Sequence, residues 1–176
     1  RGVSKDCAEA AKWFGRAAES GDLDAKVGLG ELLFKGLGVE RDYTEAMRLC
    51  LEAYDEGNAR ACVLIGEMCE AGLGVEKAHE NAREWYQVAA DRGDIRGKTM
   101  LGRCYARGIG VKKDYGKALE IYQEAVAEGD PWANSLIAVQ HCFGWAVKKD
   151  CRKAVEYYQL AAEAGDPAGL LGIGIH

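Results

Sequence analysis

Glycine closes a unit of the same length five times along this chain. Gly21, Gly57, Gly93, Gly129 and Gly165 follow one another at intervals of 36 residues, and no insertion breaks the register. A fixed period of about 20 to 50 residues marks a solenoid, in which each unit buries its apolar face only against its neighbours. The register divides the chain into a half unit at 1–21, repeats at 22–57, 58–93, 94–129 and 130–165, and a half unit at 166–176. A composition that is 48% hydrophobic can fill a core, which in such an array is elongated. The chain lacks an initiator Met and stops inside a helical pattern, so it reads as a piece of a longer array.

Each repeat splits into two helical patterns. In the first, Ala25, Leu29, Leu32 and Leu33 recur at helical spacing; in the second, Ala46, Leu49, Cys50, Ala53 and Tyr54 form a one-sided stripe that returns as Ala154, Tyr157, Tyr158, Ala161 and Ala162. Asp22, Asn58, Asp94, Asp130 and Asp166 stand where the first helix of a pair needs an N-cap, with Pro131 and Pro167 at the first helical position. Asp6, Asp42, Asp114 and Asp150 are placed to cap the second helices, with Glu9 and Glu45 set to complete capping boxes. Ala78 occupies the remaining slot, which predicts a helix start weaker by about 1 kcal/mol.

Between the two helices runs a turn with paired glycines, Gly36-Leu37-Gly38, Gly72-Leu73-Gly74 and Gly108-Ile109-Gly110, whose backbone angles resist a Cβ. The next turn has Ala146 for its second glycine. Glycine also falls mid-helix at Gly30, Gly66, Gly102 and Gly174, with Ala138 in the remaining unit, at a cost of about 1 kcal/mol for each glycine against alanine. Close helix approach explains it. Trp13, Trp85, Tyr122 and Tyr157 are then expected to fill the space between repeats.

The order Ala-x-x-x-Leu-Gly-x-x-Tyr-x-x-Gly-x-Gly-Val, followed by Asp-x-x-x-Ala-x-x-Trp/Tyr-x-x-Ala-Ala-x-x-Gly, resembles the Sel1-like repeat, a relative of the tetratricopeptide repeat. Gly97, Thr99, Leu101, Gly102, Tyr105, Gly108, Gly110, Val111, Asp114, Ala118, Tyr122 and Gly129 carry the resemblance in the best-matching repeat. The resemblance implies an all-α fold, a right-handed α–α superhelix of antiparallel helix pairs, used as an adaptor for protein complexes, with the first helix of each pair lining the concave side.

Once the framework positions are set aside, a variable stripe remains at offsets that share one helical face. It comprises Asp24, Val27, Glu31, Phe34; Arg60, Val63, Glu67, Glu70; Arg96, Thr99, Arg103, Ala106; and Trp132, Ser135, Val139, Cys142. Charge along it passes from acidic, through mixed, to basic at Arg96 and Arg103, and ends apolar around Trp132, Val139 and Phe143. This suits a peptide with an acidic stretch beside an apolar anchor. The expected contact residues are Asp24, Glu31, Phe34, Arg60, Glu67, Arg96, Arg103, Trp132, Val139 and Phe143; the alternative is a solvated face free to vary.

Other chemistries are less well supplied. With 23 Lys and Arg against 28 Asp and Glu, net −5, and no dense basic run, nucleic-acid binding is not expected. No apolar run is long enough to cross a membrane as a helix. A cysteine-rich subgroup of the family links equivalent positions by disulfides, yet of Cys7, Cys50, Cys62, Cys69, Cys104, Cys142 and Cys151 only Cys7 and Cys151 share a repeat position, and Tyr54 stands where a partner for Cys62 belongs. The cysteines read as small buried hydrophobes, with a lean toward a reducing compartment.

No metal site or cofactor is expected; His141-Cys142 is the one adjacent ligand pair. The same subgroup motivates an alternative as a β-lactam-binding or hydrolytic protein, but Ser4, Ser20 and Ser135 all lack Lys three residues on. A passive spacer is the third reading. Leu170, Leu171 and Ile173 on the last helix are expected to promote end-to-end association.

Overall fold

The computed structural model describes the backbone of residues 2–173 and the side chains of residues 6–172. The described residues form ten α-helices and no strand, in two compact units, Arg1–Arg92 and Gly93–His176. The first unit holds α1 (Gly2–Glu19), α2 (Leu23–Lys35), α3 (Tyr43–Asp55), α4 (Ala59–Ala71) and α5 (His79–Asp91); the second holds α6 (Ile95–Arg107), α7 (Tyr115–Ala127), α8 (Pro131–Phe143), α9 (Cys151–Glu163) and α10 (Pro167–Ile173). Within each unit every helix packs on its neighbours in chain order. Helices α2 to α9 have 13 residues each. Helices of that length are marginal alone, so packing holds them.

The caps work as their chemistry requires. Asp22, Asn58, Asp94, Asp130 and Asp166 accept from backbone N–H groups of Ala25, Ala61, Gly97, Trp132 and Ala168. Asp42, Asp114 and Asp150 cap the second helices in the same way. At Ala78 the backbone adopts φ −140°, ψ 96°, close to φ −137°, ψ 98° at Asp42, but no side chain caps α5. Two expectations are overturned. Asp6 and Glu9 lie inside α1, which spans Gly2–Glu19, so neither stands at a helix start. Glu45 does not complete a capping box, because its carboxylate pairs with Arg48 at 2.6 Å.

Gly36, Gly72, Gly108 and Gly144 end the first helices in the left-handed conformation. Ala146 keeps φ +62° where Gly38, Gly74 and Gly110 stand in the other turns. The turn geometry therefore survives the missing glycine, with strain on the Cβ.

The mid-helix glycines mark close helix approaches. A Cβ built on Gly66 would lie 2.5 Å from the Tyr86 ring, and one on Gly102 would lie 2.6 Å from the Tyr122 ring. A Cβ built on Gly30 would lie 3.1 Å from Cys50 Sγ; Gly174 lies outside the described residues. Around these contacts the core is built from Ala46, Ala53, Ala82 and Ala89 in the first unit and from Ala118, Ala125, Ile137 and Ala154 in the second.

Trp85 packs edge-on against Tyr54 of the preceding repeat, with ring centroids 4.8 Å apart, and Tyr122 is buried. Trp13 departs from expectation: it is 61% exposed and carries Arg16 over its ring.

Candidate functional site

The first unit contributes α2 and α4. Their outward residues are cross-linked to each other: Asp24 accepts from Asn58 Nδ2 at 3.0 Å, while Glu31 pairs with both Arg60 at 3.1 Å and Lys35 at 2.5 Å. Phe34 is half-buried, edge-on to Tyr43 at 6.0 Å, and Glu67 is half-buried on α4. The acidic stretch of the stripe thus helps to join consecutive repeats.

One column of the stripe is not a surface at all. Val27, Val63, Thr99 and Ser135, at the same offset in four repeats, are all buried. Thr99 donates its hydroxyl hydrogen to Asp130, and Ser135 donates to Asp166. Each of these aspartates also caps the helix it precedes, so one carboxylate serves a cap and an inter-repeat bond together. Cys142 is buried as well. The repeat arithmetic missed this because an exposed and a buried column lie only about 60° apart on a helix of 3.6 residues per turn.

In the second unit the sequence candidates converge. Arg103 of α6 and Trp132 and Val139 of α8 line one cavity of about 450 Å³. On α8 the wall is Trp132, Leu136, Val139 and Gln140, one helical face. From α6 come Arg103, Ala106 and Arg107; Lys113, Tyr115 and Tyr122 close the α7 side, and Trp145 enters from the turn after α8. Arg96 is exposed on the first turn of α6, outside the lining.

Phe143 also stays outside the lining, 64% exposed, but its ring stacks on Trp145 at 4.9 Å and 18°. Trp145 stacks in turn on Tyr115 at 4.8 Å, over which Lys113 sits at 5.5 Å.

The electrostatics of the cavity are cationic. Burial pushes the Tyr122 phenol up, against the opposing pull of Arg103 and Arg107, so the phenol stays protonated. The second unit carries 11 Lys and Arg against 10 Asp and Glu, whereas the first carries 12 against 18. The reversal concentrates at the turns, where Glu40-Arg41 and Glu76-Lys77 give way to Lys112-Lys113 and Lys148-Lys149. That substitution was the available signal for Lys113. Tyr115 and Trp145 could not be read, because they join the site through a turn rather than along a helix face.

Gln140 is 1% exposed, and neither its amide oxygen nor its amide nitrogen has a hydrogen-bond partner among the described residues. Nothing in the periodicity separates it from the apolar residues around it.

The remaining chemistry has ordinary partners. Ser20 bonds the Arg16 carbonyl and Ser135 is engaged by Asp166, while the side chain of Ser4 lies outside the described residues. His141 is buried and stacks on Tyr157 at 5.5 Å. None of the seven cysteines, all among the described residues, is joined in a disulfide, and five of them are buried. Cys50 is pushed up to about 12, first by burial and then by Glu31 and Cys62. No group of three or more His, Cys, Asp or Glu side chains among the described residues could hold a metal ion. No described helix is long and apolar enough to cross a membrane.

A comparison with curated proteins found no match. Among solved structures the chain is similar to the protective antigen c5321 of uropathogenic Escherichia coli, which displays an SLR fold, at 33% identity and a TM-score of 0.69; the match covers 96% of this chain and 36% of that one. A Sel1 repeat protein from Oxalobacter formigenes is 29% identical with a TM-score of 0.80, over 94% of this chain and 66% of that one. The chain therefore spans between about a third and two thirds of these relatives. The immunity protein Pa5087 of Pseudomonas aeruginosa shares the fold at 23% identity and a TM-score of 0.70, over 90% of this chain and 59% of that one. The model of the Sel1 repeat matches residues 1–22, 23–58, 59–94, 96–130 and 136–166. With successive packed helix pairs, glycine turns and five matched repeats, the chain belongs to the Sel1 repeat family.

Proposed function

We propose that this chain is a non-enzymatic interaction module that holds a protein or peptide partner against the first helices of its repeats. The observation that carries this reading is the cavity of the second unit, where Arg103, Trp132 and Val139 share one lining with Arg107 and Trp145. Aromatic and Arg side chains grouped in a concave, partly desolvated site are the usual anchors of binding. Arg96 and Phe143 flank that site, and Asp24, Glu31, Phe34, Arg60 and Glu67 form a secondary contact row on the first unit. The family favours the same reading in general terms, since Sel1 repeats serve as protein-interaction scaffolds.

The test is affinity capture from the source cell with the intact chain and with a variant carrying Arg96→Glu, Arg103→Glu and Trp132→Ala, after circular dichroism has matched their helicity. Loss of a specific partner in the variant supports the reading. Equal capture by both moves the contact surface elsewhere, and capture by neither favours a spacer.

A further inference from the structure

We infer that the α6–α8 cavity takes an extended acidic peptide: carboxylates against Arg103, Arg107 and Lys113, an apolar side chain against Trp132 and Val139, and a main-chain peptide group against Gln140. This rests on the binding reading above and deepens it by naming the ligand's chemistry.

The volume comes first. About 450 Å³ accommodates a few residues of a chain and falls within the usual range of ligand sites, roughly 300–1,000 Å³. The sign of the charge comes next. Two guanidinium groups and an ammonium line the cavity and no carboxylate does, in a chain whose net charge is −5. Guanidinium recognises carboxylate through paired N–H donors, so an acidic partner is complementary and a basic one is repelled.

Gln140 narrows the partner further. Buried polar side chains in folded proteins are nearly always hydrogen-bonded, yet both ends of this amide lack a partner among the described residues. A primary amide offers one acceptor and two donors. A peptide group, with one N–H and one C=O, matches it. His141, next in sequence, has an unpartnered Nδ1 too, but it lies against Lys148, Lys149 and Arg152 on another surface.

A nucleotide could also use an amide and cations. Its base would need a stacking platform, and the Trp145 ring is already stacked with Tyr115 and with Phe143, which leaves Trp132 as the competing site that the ATP arm below tests. A peptide makes no such demand.

The test uses the whole chain and an arrayed set of hexapeptides in which Phe, Leu or Trp is flanked by Asp or Glu, beside the same set with Lys in place of the acids. The acidic set should be captured and the Lys set should not. For the best acidic peptide, fluorescence polarisation should show a loss of about tenfold or more on Arg107→Glu with Lys113→Glu, and weaker binding in high salt. Gln140→Leu should weaken binding about fivefold without lowering the thermal midpoint, since removing an unpartnered buried amide does not harm the fold. No capture of the acidic set, capture unaffected by the charge reversal, or retention of ATP in equilibrium dialysis with no peptide bound would overturn the assignment. If the affinity capture above still yields a partner that depends on Arg96 and Trp132 while no acidic peptide binds, the scaffold reading stands and this one falls. If acidic peptides bind as stated, this assignment stands, and the binding reading on which it rests stands with it.

Discussion

Replacing Gly66 by alanine should destabilise the protein, although alanine is the better helix former. In an open helix the exchange gains about 1 kcal/mol. Here the new Cβ would stand 2.5 Å from Tyr86 Cε1, 2.8 Å from Cδ1 and 3.1 Å from Cζ. The ring cannot give way easily: Tyr86 is fully buried, and its hydroxyl donates to Glu70 at 3.0 Å. Overpacking of this kind costs about 1–3 kcal/mol, to which forced separation of α4 and α5 contributes. Subtracting the propensity gain leaves a net loss of up to about 2 kcal/mol.

Gly15→Ala is the control, because a Cβ there meets nothing within 4 Å, and it should stabilise by up to about 1 kcal/mol. Urea unfolding followed by circular dichroism reads both midpoints. A Gly66→Ala protein as stable as Gly15→Ala would refute the argument that the recurring glycine is there for close approach.

Three further outcomes follow from local geometry. Ala78→Asp should stabilise α5 by about 1 kcal/mol, because the backbone already has cap angles, and should slow hydrogen exchange at residues 78 to 82. Ala146→Gly relieves a residue held at φ +62° and should raise the unfolding midpoint by the equivalent of about 1 kcal/mol. Thr99→Val removes the hydroxyl bound to Asp130 at a buried site and should cost about 1–3 kcal/mol in denaturant unfolding, with helicity unchanged in the native state.

The thiols give a pH test. Cys151 is exposed and should react with a thiol reagent in the native protein, whereas Cys50, held up at about 12, should react only on unfolding. The sign follows from linkage. An unfolded thiol loses its proton near 9.0 while the folded one keeps it, so Cys50's contribution is intact below that pH and declines as pH rises toward about 12. Stability independent of pH across that window would contradict it.

Much of this molecule is local. Asp22, Asp42 and Asp130 cap where they stand because a short acceptor before a helical stripe meets free N–H groups within three residues, and Gly36 or Gly72 ends a helix because only glycine enters the left-handed region without strain. Such signals repeat every 36 residues and could be read without any partner in view. The mid-helix glycines belong to the same class, since an unexplained propensity cost implies a close neighbour.

The site was legible only in part, because its walls come from residues that are distant in the chain. Arg103, Trp132 and Val139 could be read as outward-facing, but Tyr115 and Trp145 meet only when the turns after α6 and α8 lie side by side. Whether a polar residue finds a partner is likewise a tertiary matter: Thr99 reaches Asp130 across 31 residues, while Gln140 reaches no partner among the described residues. Sequence alone determined the period, the helices and their ends, since those depend on interactions within one turn. Only the packing decided which outward positions are buried, which charges are engaged, and that a cationic cavity with an unpaired amide lies between α6 and α8, because these depend on distances between repeats that no periodicity encodes.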